Sequence, residues 1–394
     1  NVFVGHDCGG GTWTTNDSNF NVGIGNYVMD AVMNGALYNT AVGHQALSAL
    51  TTGGSNVAVG YNSLMTATTE IGNTVMGHEA GKSIRHDASD YNVIMGHQAS
   101  VGGTGKRSQS IAIGYRAWGN GGSANNIGGD ENVFIGAESG GGTWATGASD
   151  GNTAVGWNTM KGAMNGAANN VAVGKSALLA VTSGVNNVAI GSTAADSITT
   201  TNSCVFVGFG SGAAVTVTGT GQDGSIGIGQ QSLATLTSGQ GNVAVGYQAL
   251  YVEDDGDFNT AVGYQALTAQ TGVSGEVGNT AVGYKAGVAV TSGIGNTALG
   301  YKAGQGIDAG AGNVVIGHMA MGNMFETGGN ALNYNVAIGY EALMGEGSAV
   351  CDETVAVGAY ALKELTSGAK NLAVGYSALQ GLTTGANNIA IGYE

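Results

Sequence analysis

The chain has 394 residues, a formal net charge of −15, 74 glycines, no proline and only 9% charged residues. Proline cannot donate to a β ladder, so its absence fits a chain that is paired sheet nearly throughout, and it excludes collagen, which needs proline and a glycine at every third position. The 43% apolar fraction excludes a disordered tail, no apolar run reaches the roughly 18 to 20 residues of a membrane span, and the acidic excess disfavours a nucleic-acid partner.

From Asn1 onwards one pentad recurs 22 times: usually Asn, then Val or Thr, a small residue, Val or Ile, and Gly. Its closing glycines run from Gly5, Gly25 and Gly43 through Gly246 and Gly263 to Gly375 and Gly392. Their commonest spacing is 17 residues, never less, and the excess is at most five. A minimum with variable excess is expected of a fixed coil with loops added at a corner. Seventeen residues provide two short strands and two turns, too little for a core but enough for one rung of a parallel β-roll, with stacking supplying the core. The expected fold is all-β, a single continuous solenoid over residues 1–394. At roughly 4.8 Å per rung it would form a rod on the order of 100 Å long.

Within a pentad such as Asn242 to Gly246, the two branched residues share one strand face and the alanine the other. One face fills a core; the small-residue face permits close packing. Tyr247, Gln248, Ala249 and Leu250 form a second recurring unit, and a turn such as Thr182, Ser183, Gly184 closes the coil. Asparagine opens 18 of the 22 pentads, Asn242 and Asn259 among them, which predicts an asparagine ladder at a corner. The position after the glycine is tyrosine in nine rungs, including Tyr61, Tyr115, Tyr247, Tyr264, Tyr284 and Tyr301, with Trp157 and Phe209 in the same column. His6, His44, His78, His97 and His318 share that slot and read as members of an aromatic stack, with a metal chelate between His78 and His97 the weaker reading.

Candidate sites follow in chain order. Gly9 to Trp13 and Gly140 to Trp144 match each other in rungs of 20 residues, so Trp13 and Trp144 are candidates for stacking on a sugar; a tryptophan folded back over the roll is the favoured alternative. Gly81 to Ser83 and Gly174 to Ser176 read Gly-Lys-Ser but lack the earlier glycine of a phosphate-cradling loop. Glu253, Asp254, Asp255 and Asp257 are the densest charge in the chain. They could hold Ca2+, although a solvated acidic loop is the simpler reading. No catalytic triad stands out. Cys8, Cys204 and Cys351 are too far apart for a metal or redox motif.

At Asn242 to Gly246, Asn335 to Gly339 and Asn388 to Gly392 the sequence resembles the head repeats of trimeric autotransporter adhesins. It is also similar to the repeat regions of bacteriophage tail fibres, where tyrosine and Ala-Leu follow the glycine, as in Asn259 to Leu267. That resemblance implies left-handed parallel β-rolls associated as homotrimers, displayed on a virion tail or outside a cell to bind a host-surface glycan or protein. The long repeat and the absence of a heptad stalk and of a membrane-anchor barrel favour the phage fibre. An adhesin head is the alternative, and a polysaccharide-degrading tailspike a second one. No enzymatic activity, nucleic-acid partner or membrane insertion is expected. The ends, each inside a rung, read as those of a segment of a longer fibre protein.

Overall fold

A computed structural model describes residues 1–14, 16–84, 89–101, 105–119, 129–144, 147–214, 223–271, 274–325, 331–345, 347–348 and 351–394. Among these there is no helix. The chain is a parallel β-solenoid dividing into two compact units, Asn1–Asn202 and Ser203–Glu394. Each unit holds eleven three-residue strands, one per repeat: from Val2–Val4 to Val188–Ile190 in the first, and from Val205–Val207 to Ile389–Ile391 in the second. Successive strands pair in parallel with no register shift, as Thr40, Ala41 and Val42 do with Val57, Ala58 and Val59.

Each rung carries one strand of this kind where two were expected. The Tyr-Gln-Ala-Leu unit is a turn whose second and fourth residues are left-handed, φ 51° at Gln248 and 48° at Leu250. Such conformations cost L-residues energy and persist only where the surroundings fix them. Here hydrogen bonds to adjacent rungs do so: Gln248 N–H donates to the Gln230 carbonyl and Leu250 N–H to that of Ala266. Some rungs add short second strands, Gly256–Asp257 with Gly275–Glu276 and Met324–Phe325 with Gly347–Ser348.

The two strand faces are inverted relative to the sequence expectation. The central residue points inward: Ala41, Ala58, Ala172 and Ala244 are fully buried, packed with the Ala-Leu pair of the turn (Ala249, Leu250) and an aliphatic residue beyond it such as Leu236. The branched residues on either side point outward and are half-buried or exposed. A larger inward residue can be met by a smaller turn residue, as Val75 is by Gly81, although Val315 is buried together with Met321. Where a strand does present phenylalanine inward, glycine replaces the turn leucine six residues on: Phe134 with Gly140, Phe206 with Gly212. Large-small exchange across the core conserves volume.

The opening asparagine is buried and forms the expected ladder. Asn39 donates Nδ2 to Asn21 Oδ1 (3.0 Å) and to the Gly53 carbonyl (3.0 Å), and Asn21 Oδ1 also accepts from Asn39 N–H (2.9 Å). Asn313 and Asn388 repeat this on Asn296 and Asn371 in the second unit. The closing glycine is obligatory for a steric reason. Gly246 has φ 139°, and a Cβ there would fall inside the van der Waals sphere of the Gly263 carbonyl in the next rung.

Candidate functional site

The aromatic column forms as expected. His44, Tyr61, His78, His97 and Tyr115 stack in succession with ring centroids 4.9 to 5.7 Å apart. Tyr247, Tyr264, Tyr284, Tyr301 and His318 do so at 4.9 to 5.4 Å. That spacing is the rung repeat, so the column follows from register. Where the slot holds Asn26 or Ala359, the next residue, Tyr27 or Tyr360, swings its ring in edge-on. Lys175 of the next rung lies over Trp157, 5.0 Å from its centroid, and Phe209 is exposed. The His78 and His97 rings are parallel within 4° at 4.9 Å, turning ring faces, not nitrogen lone pairs, toward each other. This arrangement packs; it does not chelate.

The two matched tryptophans share one local geometry. Each indole N–H donates to a glycine carbonyl, Gly9 or Gly140, at 3.1 Å, and each ring meets a strand phenylalanine edge-on, Phe3 at 5.9 Å or Phe134 at 5.8 Å. Trp144 is 2% exposed because Trp118 of the preceding rung covers it at 5.7 Å. Buried Arg107 in turn lies 5.0 Å from the Trp118 centroid and bonds the Ser100 hydroxyl at 2.8 Å. Trp144 therefore leaves no free face for a sugar and is removed as a glycan contact. Trp13, in the first rung, is 44% exposed.

The acidic loop divides. Ligand oxygens of Glu253, Asp254 and Asp255 lie within 4.8 Å of one another, the one such group of His, Cys, Asp and Glu among the described residues. Asp257 instead accepts from Gln240 N–H (2.8 Å) in the preceding rung. Both Glu253 oxygens have partners, Gly256 N–H at 2.7 Å and Asn259 Nδ2 at 3.2 Å. Burial, with Asp254 adding to it, pushes the Glu253 carboxyl up; burial and Asp254 do the same to Asp255. Three carboxylates could offer oxygens to a cation, but the buried one already serves the ladder. One rung on, Gln270 Oε1 accepts from Asn279 Nδ2 at 2.8 Å. Glu253 and Gln270 thus act as surrogate ladder acceptors, a role their composition did not disclose.

A second aromatic row was not foreseen. Phe20, Tyr38, Tyr91, Phe258 and Tyr334 each immediately precede a ladder asparagine, have left-handed φ between 57° and 63°, and are exposed. Between Tyr38 and Tyr91 the surface opens into a cleft of about 300 Å³. Another of about 450 Å³ is lined by Gln98, Arg116, Glu138 and Lys161, whose polar groups partner one another: Lys161 pairs with the Glu138 carboxylate, and Arg116 Nε donates to Gln98 Oε1 at 3.0 Å.

These features define a parallel β-solenoid repeat protein, held by asparagine and aromatic ladders. No protein-family model matches the chain, and no curated protein matches it in sequence. Among the described residues no helix is long and apolar enough to cross a membrane.

Proposed function

We propose that the chain is a segment of a homotrimeric fibre of the phage tail kind, which carries or presents a surface for attachment to a host cell. The outward strand face is the observation behind this reading. Ile24, Met76, Val173, Ile190, Ile228 and Leu299 all stand exposed at one register position of their strands, although each strand already turns its central residue, Gly23, Val75, Ala172, Ala189, Gly227 or Ala298, into the core. Aligned exposed apolar side chains of this extent mark an interaction surface. Their spacing is that of the rungs, so the partner that matches them rung for rung is another copy of the same chain. Three copies follow from the resemblance to trimeric head and fibre repeats. The role is mechanical and adhesive, outside the cell, without catalysis.

Solution mass by light scattering tests it. The expected value is three times the 38.8 kDa of one chain; a monomeric mass at micromolar concentration would overturn the assembly and leave the apolar face unexplained.

A further inference from the structure

The second aromatic row has a gap in each unit. In the first, Phe20 and Tyr38 stack at 5.0 Å and 4°, the next two rungs present Ser55 and Gly72, and Tyr91 follows. The Tyr91 ring leans back over Gly72, where a Cβ would lie 2.6 Å from its Cδ1. Tyr38 and Tyr91 are anchored three paired rungs apart, about 14 Å at the usual strand spacing. The floor between them is a complete ladder: Ser55 N–H donates to Leu37, Gly72 N–H to Gly54 and Tyr91 N–H to Ile71 carbonyls, at 2.8 to 3.0 Å. What the cleft offers a ligand is therefore two tyrosine walls, the exposed Ile71 side chain, and the exposed hydroxyls of Thr52 and Ser55. No charged residue lines it.

The second unit has a longer version of the device, with Phe258 and Tyr334 four paired rungs apart. Phe258 leans over Gly241 and Tyr334 over Gly312, while a Cβ added at Gly278 or Gly295 between them would meet nothing within 4 Å. Exposed Ile294 stands beside Gly295 as Ile71 stands beside Gly72.

We infer that the Tyr38–Tyr91 cleft, and its counterpart between Phe258 and Tyr334, bind a neutral oligosaccharide laid along the floor. A pyranose ring has an apolar C–H face for an aromatic wall and a rim of hydroxyls for Thr52 and Ser55. Nucleotides and acidic sugars are opposed by the net charge of −15 and find no cation in the lining. The spacing of the walls suits two linked sugars better than one ring in contact with both. The inference rests on the attachment reading only in taking the source to be a surface glycan.

The test uses the full chain on an array of neutral, sialylated and uronate-bearing oligosaccharides, followed by calorimetric titration of the strongest neutral ligand. Two sites per chain are expected. Ser55→Tyr fills the first cleft without new strain, because Tyr38 and Tyr91 hold the same left-handed conformation at that register (φ 62° and 60°, against 58° at Ser55). It should reduce the stoichiometry to one, and adding Gly295→Tyr should abolish binding. Tyr91→Ala should weaken the first site about tenfold, the loss of one stacked ring. Unchanged stoichiometry in the double variant, binding confined to acidic sugars, or no binding at all overturns the inference. Assembly is scored separately: a trimer that binds no neutral sugar sinks only the clefts, and a monomer that binds as described sinks only the trimer.

Discussion

Glu253 shows how far a side chain's role can lie from its apparent chemistry. In the run Glu253, Asp254, Asp255, Gly256, Asp257 it reads as one of several surface acids, yet it is buried and supports Asn259. Its pH effect has a definite sign. Burial raises its folded pKa above the ordinary value of 4.5, so the folded chain holds a proton that the unfolded chain has released. The stability this supplies is present in full below the ordinary value and is lost as pH rises through the raised one. Glu253→Gln carries no titrating group. Thermal unfolding from pH 4.5 to neutral should therefore show the wild-type midpoint falling relative to the variant as pH rises, and parallel curves would refute the assignment.

In each strand the decisive matter is which face turns inward. Alternation makes two faces visible in Asn242 to Gly246, but bulk does not identify the inner one, because the space inside a rung is set by residues from the turn. Phe206 makes this measurable. Phe206→Ala should cost about 3 kcal/mol or more by opening a cavity. Gly212→Leu in the same chain should recover most of that loss, since Leu250 occupies the equivalent point with a similar left-handed φ, 48° against 62° at Gly212. Denaturant midpoints of the single and double variants decide it; a double variant no more stable than Phe206→Ala would rule out volume compensation. The Phe-to-Gly spacing of six, shared by Phe134 with Gly140, was present in the sequence and would have revealed the inward face.

For the whole molecule the same two faces separate stability from the association proposed above. Ile190, outward and 40% exposed, and Ala189, inward and fully buried, are neighbours in one strand. Ile190→Asp should leave a folded chain of single-chain mass, because in a trimer it would bring charges together at an apolar contact. Ala189→Asp should unfold its rung. A mass of three chains for Ile190→Asp would move the interface elsewhere. The acidic balance, 26 acidic side chains against 11 basic ones, should make separate molecules repel one another.

The repeat was legible because a solenoid uses one local solution many times. Asn at the corner, Gly where a Cβ would strike the next rung, and in most rungs a ring after it each meet their equivalents one rung away, so they recur at nearly constant spacing. Tyr27 and Tyr360 depart from the slot by one residue and still join the stack, since ring reach tolerates that shift. What the spacing left open depends on residues that meet only when rungs of unequal length are stacked. Burial of Trp144 needed Trp118 above it, and the Tyr38–Tyr91 cleft exists because Ser55 and Gly72 fall between two rings three rungs apart. Such contacts join positions that no short-range pattern relates, and register alone sets which of them touch.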